Sequence, residues 1–161
     1  MPYAPKGWDA PAALDQAGLL RIKNAFVSAA QRADRIGFDV AELHAAHGYL
    51  LHQFLSPLSN LRADEFGGSL QGQMRFPLAV FEAVREIWPK HKALGVRLSA
   101  TDWVARSSWT LAESQIFAGE LKTRGCDFID VSSAGNSPEQ EIDAGPDYQT
   151  GFAAEIKRIT G

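Results

Sequence analysis

Helical and strand-like patterns alternate along this chain, and that alternation restricts its fold more than any other feature. Four segments are typical of helices, the first two from apolar residues that fall on one face and the third from candidate caps and a following glycine, and three short apolar runs separate them. The order α-β-α-β-α-β-α indicates βαβ units and a parallel sheet, so the predicted class is α/β. The chain has 161 residues, whereas a closed (β/α)8 barrel takes about 250 and seldom fewer than about 200. If its motifs are those of a barrel, the chain supplies only part of one.

Caps and breakers set the predicted boundaries. The helices are predicted at residues 17–36, 74–88, 110–124 and 148–159, and the strands at 38–43, 94–99 and 126–132. Asp15 is a candidate N-cap of the first helix and Gly37 its C′ residue, while Ser107, Ser108 and Thr110 are candidate caps of the third. Residues 1–14 are predicted to be an extended lead-in or severed loop, 15–161 the folded unit, and 48–73 a mostly irregular stretch.

Composition excludes several classes of protein. The net charge is −3, with 45 % hydrophobic and 22 % charged residues, which is ordinary for a globular protein and unlike a disordered tail or a strongly basic nucleic-acid binder. No run of about 18 apolar residues predicts a membrane span. The N-terminus lacks the apolar stretch of a signal peptide, and the single cysteine, Cys126, has no intramolecular partner. We therefore expect a cytoplasmic protein without nucleic-acid or membrane partners.

All three predicted strands lead into polar residues, at the ends where parallel α/β folds gather their active groups. These residues are His44, His47 and Tyr49 after the first strand, Ser99, Thr101 and Asp102 after the second, and Ser132, Ser133 and Asn136 after the third. The three sets are expected to lie near one another.

The pattern His44-Ala-Ala-His47-Gly-Tyr49 is the most suggestive of these groups. Two imidazoles three residues apart can both donate an N–H to one anion or carbonyl oxygen, and the nearby tyrosine can donate a proton. Two alternatives stay open. One is a metal site, for which His52 is the only nearby third ligand; the other is a pair of histidines that merely pack with satisfied hydrogen bonds.

Arg97 lies inside the second predicted strand, where a cation is unfavourable unless it is paired. A buried ion pair with Glu42 or Asp130 would explain it. A fixed positive charge that faces an anionic cofactor explains it equally well. The segment 56–69, rich in turn formers and charge, is expected to be pinned by its own hydrogen bonds rather than to be catalytic.

Two long motifs resemble a known family. The stretch GFDVAELHAAHGYLLHQFLSPLSN at 37–60, followed by DEFGGS at 64–69, is similar to the old yellow enzymes. The His-Ala-Ala-His form, VRLSATD at 96–102 and DVSS at 130–133 resemble the bacterial thermophilic-like branch of these FMN-dependent ene-reductases. The resemblance covers essentially residues 15–160.

The resemblance implies a partial (β/α)8 barrel that contains about the fourth to sixth strands. It implies that His44 and His47 bind the carbonyl oxygen or nitro group of a substrate and that Tyr49 takes part in proton donation. Arg97 would lie beside the pyrimidine ring of FMN. NADPH or NADH would reduce the flavin, whose hydride then passes to the activated C=C bond of an α,β-unsaturated carbonyl or nitro compound.

The same resemblance implies what is missing. The family's first three and last two strands, with most of the contacts to FMN, are not in this chain, and Gln71-Gly72-Gln73 stands where the family usually has Glu-Asn-Arg. We therefore expect an ene-reductase piece that binds FMN poorly alone. The alternative is a non-catalytic half-barrel, stable as a homo-oligomer or with a complementary barrel fragment.

Overall fold

The computed structural model describes residues 11–161, so most of the predicted lead-in at 1–14 lies outside the described residues. Its elements are α1 (Gln16–Arg35), β1 (Val40–Ala45), α2 (Leu50–Leu55), α3 (Leu70–Ile87), β2 (Ala93–Ser99), α4 (Leu111–Thr123), β3 (Phe128–Ser132) and α5 (Thr150–Thr160). The predicted alternation is confirmed, with one short extra helix, α2.

The helix caps explain most of the boundaries. Asp15 accepts a hydrogen bond from the Gly18 N–H and begins α1 as predicted, and Gly37 follows it with a φ of 90°. Of the three candidate caps of α4, Thr110 is the N-cap, in a capping box with Glu113.

Four elements begin two or more residues later or earlier than predicted: β3 at Phe128 and not at 126, α5 at Thr150 and not at 148, and α3 and β1 as follows. Helix α3 begins at Leu70 and not at 74, because the Ser69 hydroxyl accepts from the Gly72 N–H and caps it. Strand β1 runs two residues later than predicted, so His44 lies on the strand and not after it. The stretch predicted to be irregular therefore contains α2 and the start of α3.

The three strands form one parallel sheet in the order β1-β2-β3. Successive side chains point to opposite faces of a strand, and here the two faces differ in polarity. One face is apolar and belongs to the core shared with the helices; it consists of Ala41, Leu43 and Ala45 on β1, Leu94, Val96 and Leu98 on β2, and Ile129 and Val131 on β3. The other carries Glu42, His44, Arg97, Ser99, Asp130 and Ser132, and it positions the candidate site.

Within residues 11–161, β1 and β3 each pair with β2 alone, so each has an open edge. Apolar side chains are exposed beside the β1 edge, where Phe38 is 56 % and Val40 52 % exposed. None of the helices in this part of the chain has the length and apolar character needed to cross a membrane.

Candidate functional site

His44 is the centre of a cluster of three rings at the carboxyl end of β1. It lies on the strand, while His47 follows in a left-handed turn with a φ of 57°. The ring centroids of His44 and His47 are 5.2 Å apart and nearly perpendicular. Tyr49, the N-cap of α2, brings its ring to 5.0 Å from that of His44. The structure thus brings together the three residues that the sequence singled out.

Serines at the ends of the other two strands hold His47 in place. Its backbone N–H donates to the Ser99 hydroxyl over 3.0 Å, and that hydroxyl donates to the Ala134 carbonyl. Its ring Nε2 lies 2.6 Å from Oγ of Ser132. Ser99 and Ser132 are partners in the β2–β3 register. The loop that carries His47 is therefore tied to both neighbouring strands.

Arg97 lies in the same row of the sheet as His44 and Asp130, because the register pairs it with both. Its Nε is 3.3 Å from Oδ2 of Asp130, so the predicted ion pair forms with Asp130. The contact is electrostatic, since Nε is buried and makes no hydrogen bond within residues 11–161. A cation held in this way remains available to a second anionic group on the polar face.

The electrostatics of this face favour neutral imidazoles. Burial lowers the pKa of His44 and of His47, and the nearby positive charge of Arg97 lowers both further. Burial and the neighbouring Asp130 raise the pKa of Glu42. At neutral pH each imidazole therefore offers one N–H donor and one bare nitrogen.

Two buried polar atoms of the site make no hydrogen bond within the described part of the chain. They are Nδ1 of His44 and Nε of Arg97, both buried. Buried polar groups are nearly always hydrogen-bonded in folded proteins. Because both atoms belong to the same row of the sheet, they fit a polar ligand, such as a flavin edge or a substrate oxygen, that lies against this face.

His52 does not supply the third ligand that a metal site would need. Its Nδ1 accepts from the Gly48 N–H at 2.9 Å, and its Nε2 lies 3.0 Å from Oδ1 of Asp102. Both ring nitrogens are thus turned toward the protein, and His52 is fully buried. Residues 11–161 contain no group of three or more His, Cys, Asp or Glu side chains placed to hold a metal ion.

Sequence reasoning missed the role of this buried pair. Oδ2 of Asp102 accepts from the Ser56 hydroxyl at 2.6 Å and from the Trp109 N–H at 2.8 Å. Through His52, the same carboxylate supports the Gly48 turn. The loops after β1 and β2 are therefore joined by one buried polar network, which includes the Gly48 turn next to His47. A histidine within the largely apolar run Leu50–Leu55 was the available signal.

The loop at 56–69 is pinned as predicted. The Asn60 amide donates to the carbonyls of Phe54 and Phe66, both at 2.7 Å. Arg62 pairs with Asp64 and also donates to the Leu14 carbonyl. These contacts give the polar side chains of the loop a structural role.

The comparisons with known proteins decide the family. Residues 8–146 match the model described as the NADH:flavin oxidoreductase / NADH oxidase family. The chain belongs to that family. An NADPH dehydrogenase of Clostridium acetobutylicum is 47 % identical over 133 residues, which are 83 % of this chain and 39 % of that protein. The predicted resemblance is thereby confirmed.

Solved structures of the family agree with the fold. Morphinone reductase superposes with a TM-score of 0.75 at 31 % identity, over 94 % of this chain and 40 % of that one. The old yellow enzyme homologue of Zymomonas mobilis gives a TM-score of 0.76 at 25 % identity, over 97 % and 43 %. Since these relatives are (β/α)8 barrels, the predicted partial barrel is confirmed. The chain spans about two fifths of the length of the relatives it matches.

Proposed function

We propose that this chain supplies the substrate-oxygen-binding and flavin-facing part of an FMN-dependent NAD(P)H oxidoreductase, an ene-reductase. The observation that carries the proposal is the row formed by His44, Arg97 and Asp130 across the polar face, with His47 and Tyr49 at its end. Bound FMN, reduced by NADPH or NADH, would supply the hydride for an activated C=C bond. The cytoplasm is the proposed compartment, because reduced nicotinamides are available there.

The residues of the chain would bind the substrate oxygen, donate the proton and stabilise charge on the flavin. Neutral His44 and His47 can each donate an N–H to a substrate carbonyl or nitro oxygen, which makes the β-carbon of the alkene more electrophilic. Tyr49 is 62 % exposed and its ring lies beside that of His44. Its hydroxyl can therefore donate a proton to the α-carbon. Arg97, only partly neutralised by Asp130, can stabilise negative charge on the flavin. A hydride and a proton thereby add across the double bond.

The test is an FMN titration of the purified chain, followed by flavin fluorescence and the visible spectrum. The chain alone is expected to bind FMN weakly, and saturable binding near one FMN per chain or per assembled oligomer would support the proposal. Arg97→Gln should weaken that binding about tenfold, because a charged contact to the flavin is lost. Arg75→Gln is the matched control: it removes an exposed arginine that contacts Glu65, through a 2.9 Å hydrogen bond to its carbonyl and a 3.9 Å approach to its carboxylate. Equal FMN affinity of the two variants would contradict the role assigned to Arg97.

Activity is tested with a cyclic enone and NADPH. His44→Ala should lower kcat/KM about 100-fold, since one of the two donors to the substrate oxygen is removed. His91→Ala, at an exposed turn before β2, should leave the rate unchanged. An active His44→Ala variant would exclude the carbonyl-polarising role.

A second candidate is favoured by the open edges of the sheet. In this proposal the chain is a half-barrel that binds FMN only after another chain pairs with β1 or β3, either a second copy or a complementary barrel fragment. The exposed Phe38 and Val40 beside the β1 edge support it, since long apolar edges attract further strands. Light scattering together with FMN titration separates the two: a monomer that binds FMN excludes the half-barrel, and binding that appears only in oligomers supports it.

A further inference from the structure

The ring of His47 depends on one short contact. Oγ of Ser132 lies 2.6 Å from Nε2, and Ser132 is only 5 % exposed. Within residues 11–161, the Ser132 hydroxyl makes no other hydrogen bond. Among these residues, the hydroxyl proton therefore has a single acceptor, the Nε2 atom of the imidazole.

The direction of this hydrogen bond follows from the protons on both partners. If Nε2 carried a proton and donated it to Oγ, the hydroxyl proton would remain buried without an acceptor, which is unfavourable. Donation from the hydroxyl to a bare Nε2 leaves no such group. Burial and Arg97 keep the imidazole neutral, so one of its nitrogens is indeed bare at neutral pH.

We propose that Ser132 is a positioning residue that donates to Nε2 of His47 and so holds the ring in the tautomer with its proton on Nδ1. Nδ1 has no hydrogen-bond partner in the described part of the chain. It is thus the nitrogen that can donate to a ligand. The role of this tautomer rests on the proposed function, because a substrate oxygen needs an N–H donor.

Ser99 complements Ser132 from the neighbouring strand. It fixes the backbone of His47 by accepting from its N–H, and it donates its own proton to the Ala134 carbonyl. The two serines are register partners, so the sheet itself sets the spacing of the two anchors. One serine fixes where His47 lies, and the other fixes which nitrogen carries the proton.

The tautomer is read directly by nitrogen-15 NMR of the histidine side chains in the labelled 161-residue chain, without flavin or substrate. We expect a protonated Nδ1 and a bare Nε2 for His47 at neutral pH. The opposite assignment, or an even mixture, would overturn the proposal. Because the spectrum needs no ligand, its result is independent of whether the chain binds FMN or reduces an alkene.

Ser132→Ala supplies the second test. Without the hydroxyl, the tautomer with the proton on Nε2 should gain population. The pKa of His47 should rise by roughly half a pH unit, because a hydrogen bond to the neutral form is lost. If Nε2–H were the donor instead, the same substitution would lower that pKa, so a fall would contradict the proposal. His44, His52, Arg97 and Asp130, the other charged or titratable groups that act on His47, are left in place.

Ser133→Ala is the matched control. Ser133 is also 5 % exposed, but its hydroxyl accepts from the Gln149 amide and not from His47. We expect it to leave the tautomer and the titration of His47 unchanged. An equal effect of both substitutions would show that general loosening of the loop, and not the Ser132 hydrogen bond, moves the proton.

Discussion

Gly48→Ala is expected to destabilise the protein by about 3–5 kcal/mol, whereas Gly68→Ala should cost about 1 kcal/mol. Both glycines have a φ of 72°, so the strain of a left-handed alanine is the same at the two sites. They differ in their surroundings. A Cβ on Gly48 would lie 2.3 Å from the Gly135 carbonyl oxygen, while a Cβ on Gly68 would meet nothing within 4 Å. The difference between the variants therefore isolates the close approach of two backbones.

The contact matters because the two backbones belong to the candidate site. A Cβ on Gly135 would in turn lie 2.5 Å from Cα of His47, so the turn that carries His47 touches the loop after β3. No flexible side chain is available to move aside. Urea unfolding of both variants measures the effect, as a change in midpoint at constant slope. Equal losses at Gly48 and Gly68 would mean that the two loops are not in contact.

The fold was predictable from the sequence because its signals are local. The spacing of apolar residues located α1 and α3, candidate caps and Gly125 located α4, and the caps Asp15 and Thr110 marked where α1 and α4 begin. The start of β1 was misplaced because Phe38 is apolar but exposed, so the apolar run began before the strand does. An error of two residues was enough to move His44 from the strand to the loop.

The site was only partly predictable, because its support comes from distant residues. Helix α2 has six residues, which are too few to show a helical period. Its His52 side chain accepts a hydrogen bond from the Gly48 N–H and so fixes the turn just before the helix. The contacts of Ser99 and Ser132 to His47 join residues 52 and 85 positions apart. Which serine meets the ring depends on the register of three strands. No local pattern in the sequence encodes that register.

The second large effect on stability is expected at the buried carboxylate of Asp102. Asp102→Ala is expected to reduce the free energy of unfolding by about 3–5 kcal/mol, because the variant leaves its buried partners without an acceptor. The Ser56 hydroxyl and the Trp109 N–H lose their acceptor, and the His52 ring loses the carboxylate that lies 3.0 Å from its Nε2. Asp143→Ala, at an exposed aspartate, is the matched control and should change stability by less than about 0.5 kcal/mol.

The loss from Asp102→Ala should also depend on pH. Burial would raise the pKa of the Asp102 carboxyl, but the contacts from His52, Ser56 and Trp109 outweigh it and hold the pKa below its ordinary value. A carboxyl with a depressed pKa stabilises the fold above its unfolded pKa of about 3.9, and that contribution is lost as the pH falls through the folded pKa.

The difference between wild type and Asp102→Ala should therefore be greatest at pH 5–7 and should shrink below about pH 4. Urea unfolding at pH 7, 5 and 3 measures it, with Asp143→Ala run in parallel. A difference that persists undiminished at pH 3 would mean that the protonated Asp102 carboxyl binds its partners as well as the carboxylate does, so that its charge is not needed. A difference that shrinks would show that the ionised carboxylate itself joins the loops after β1 and β2.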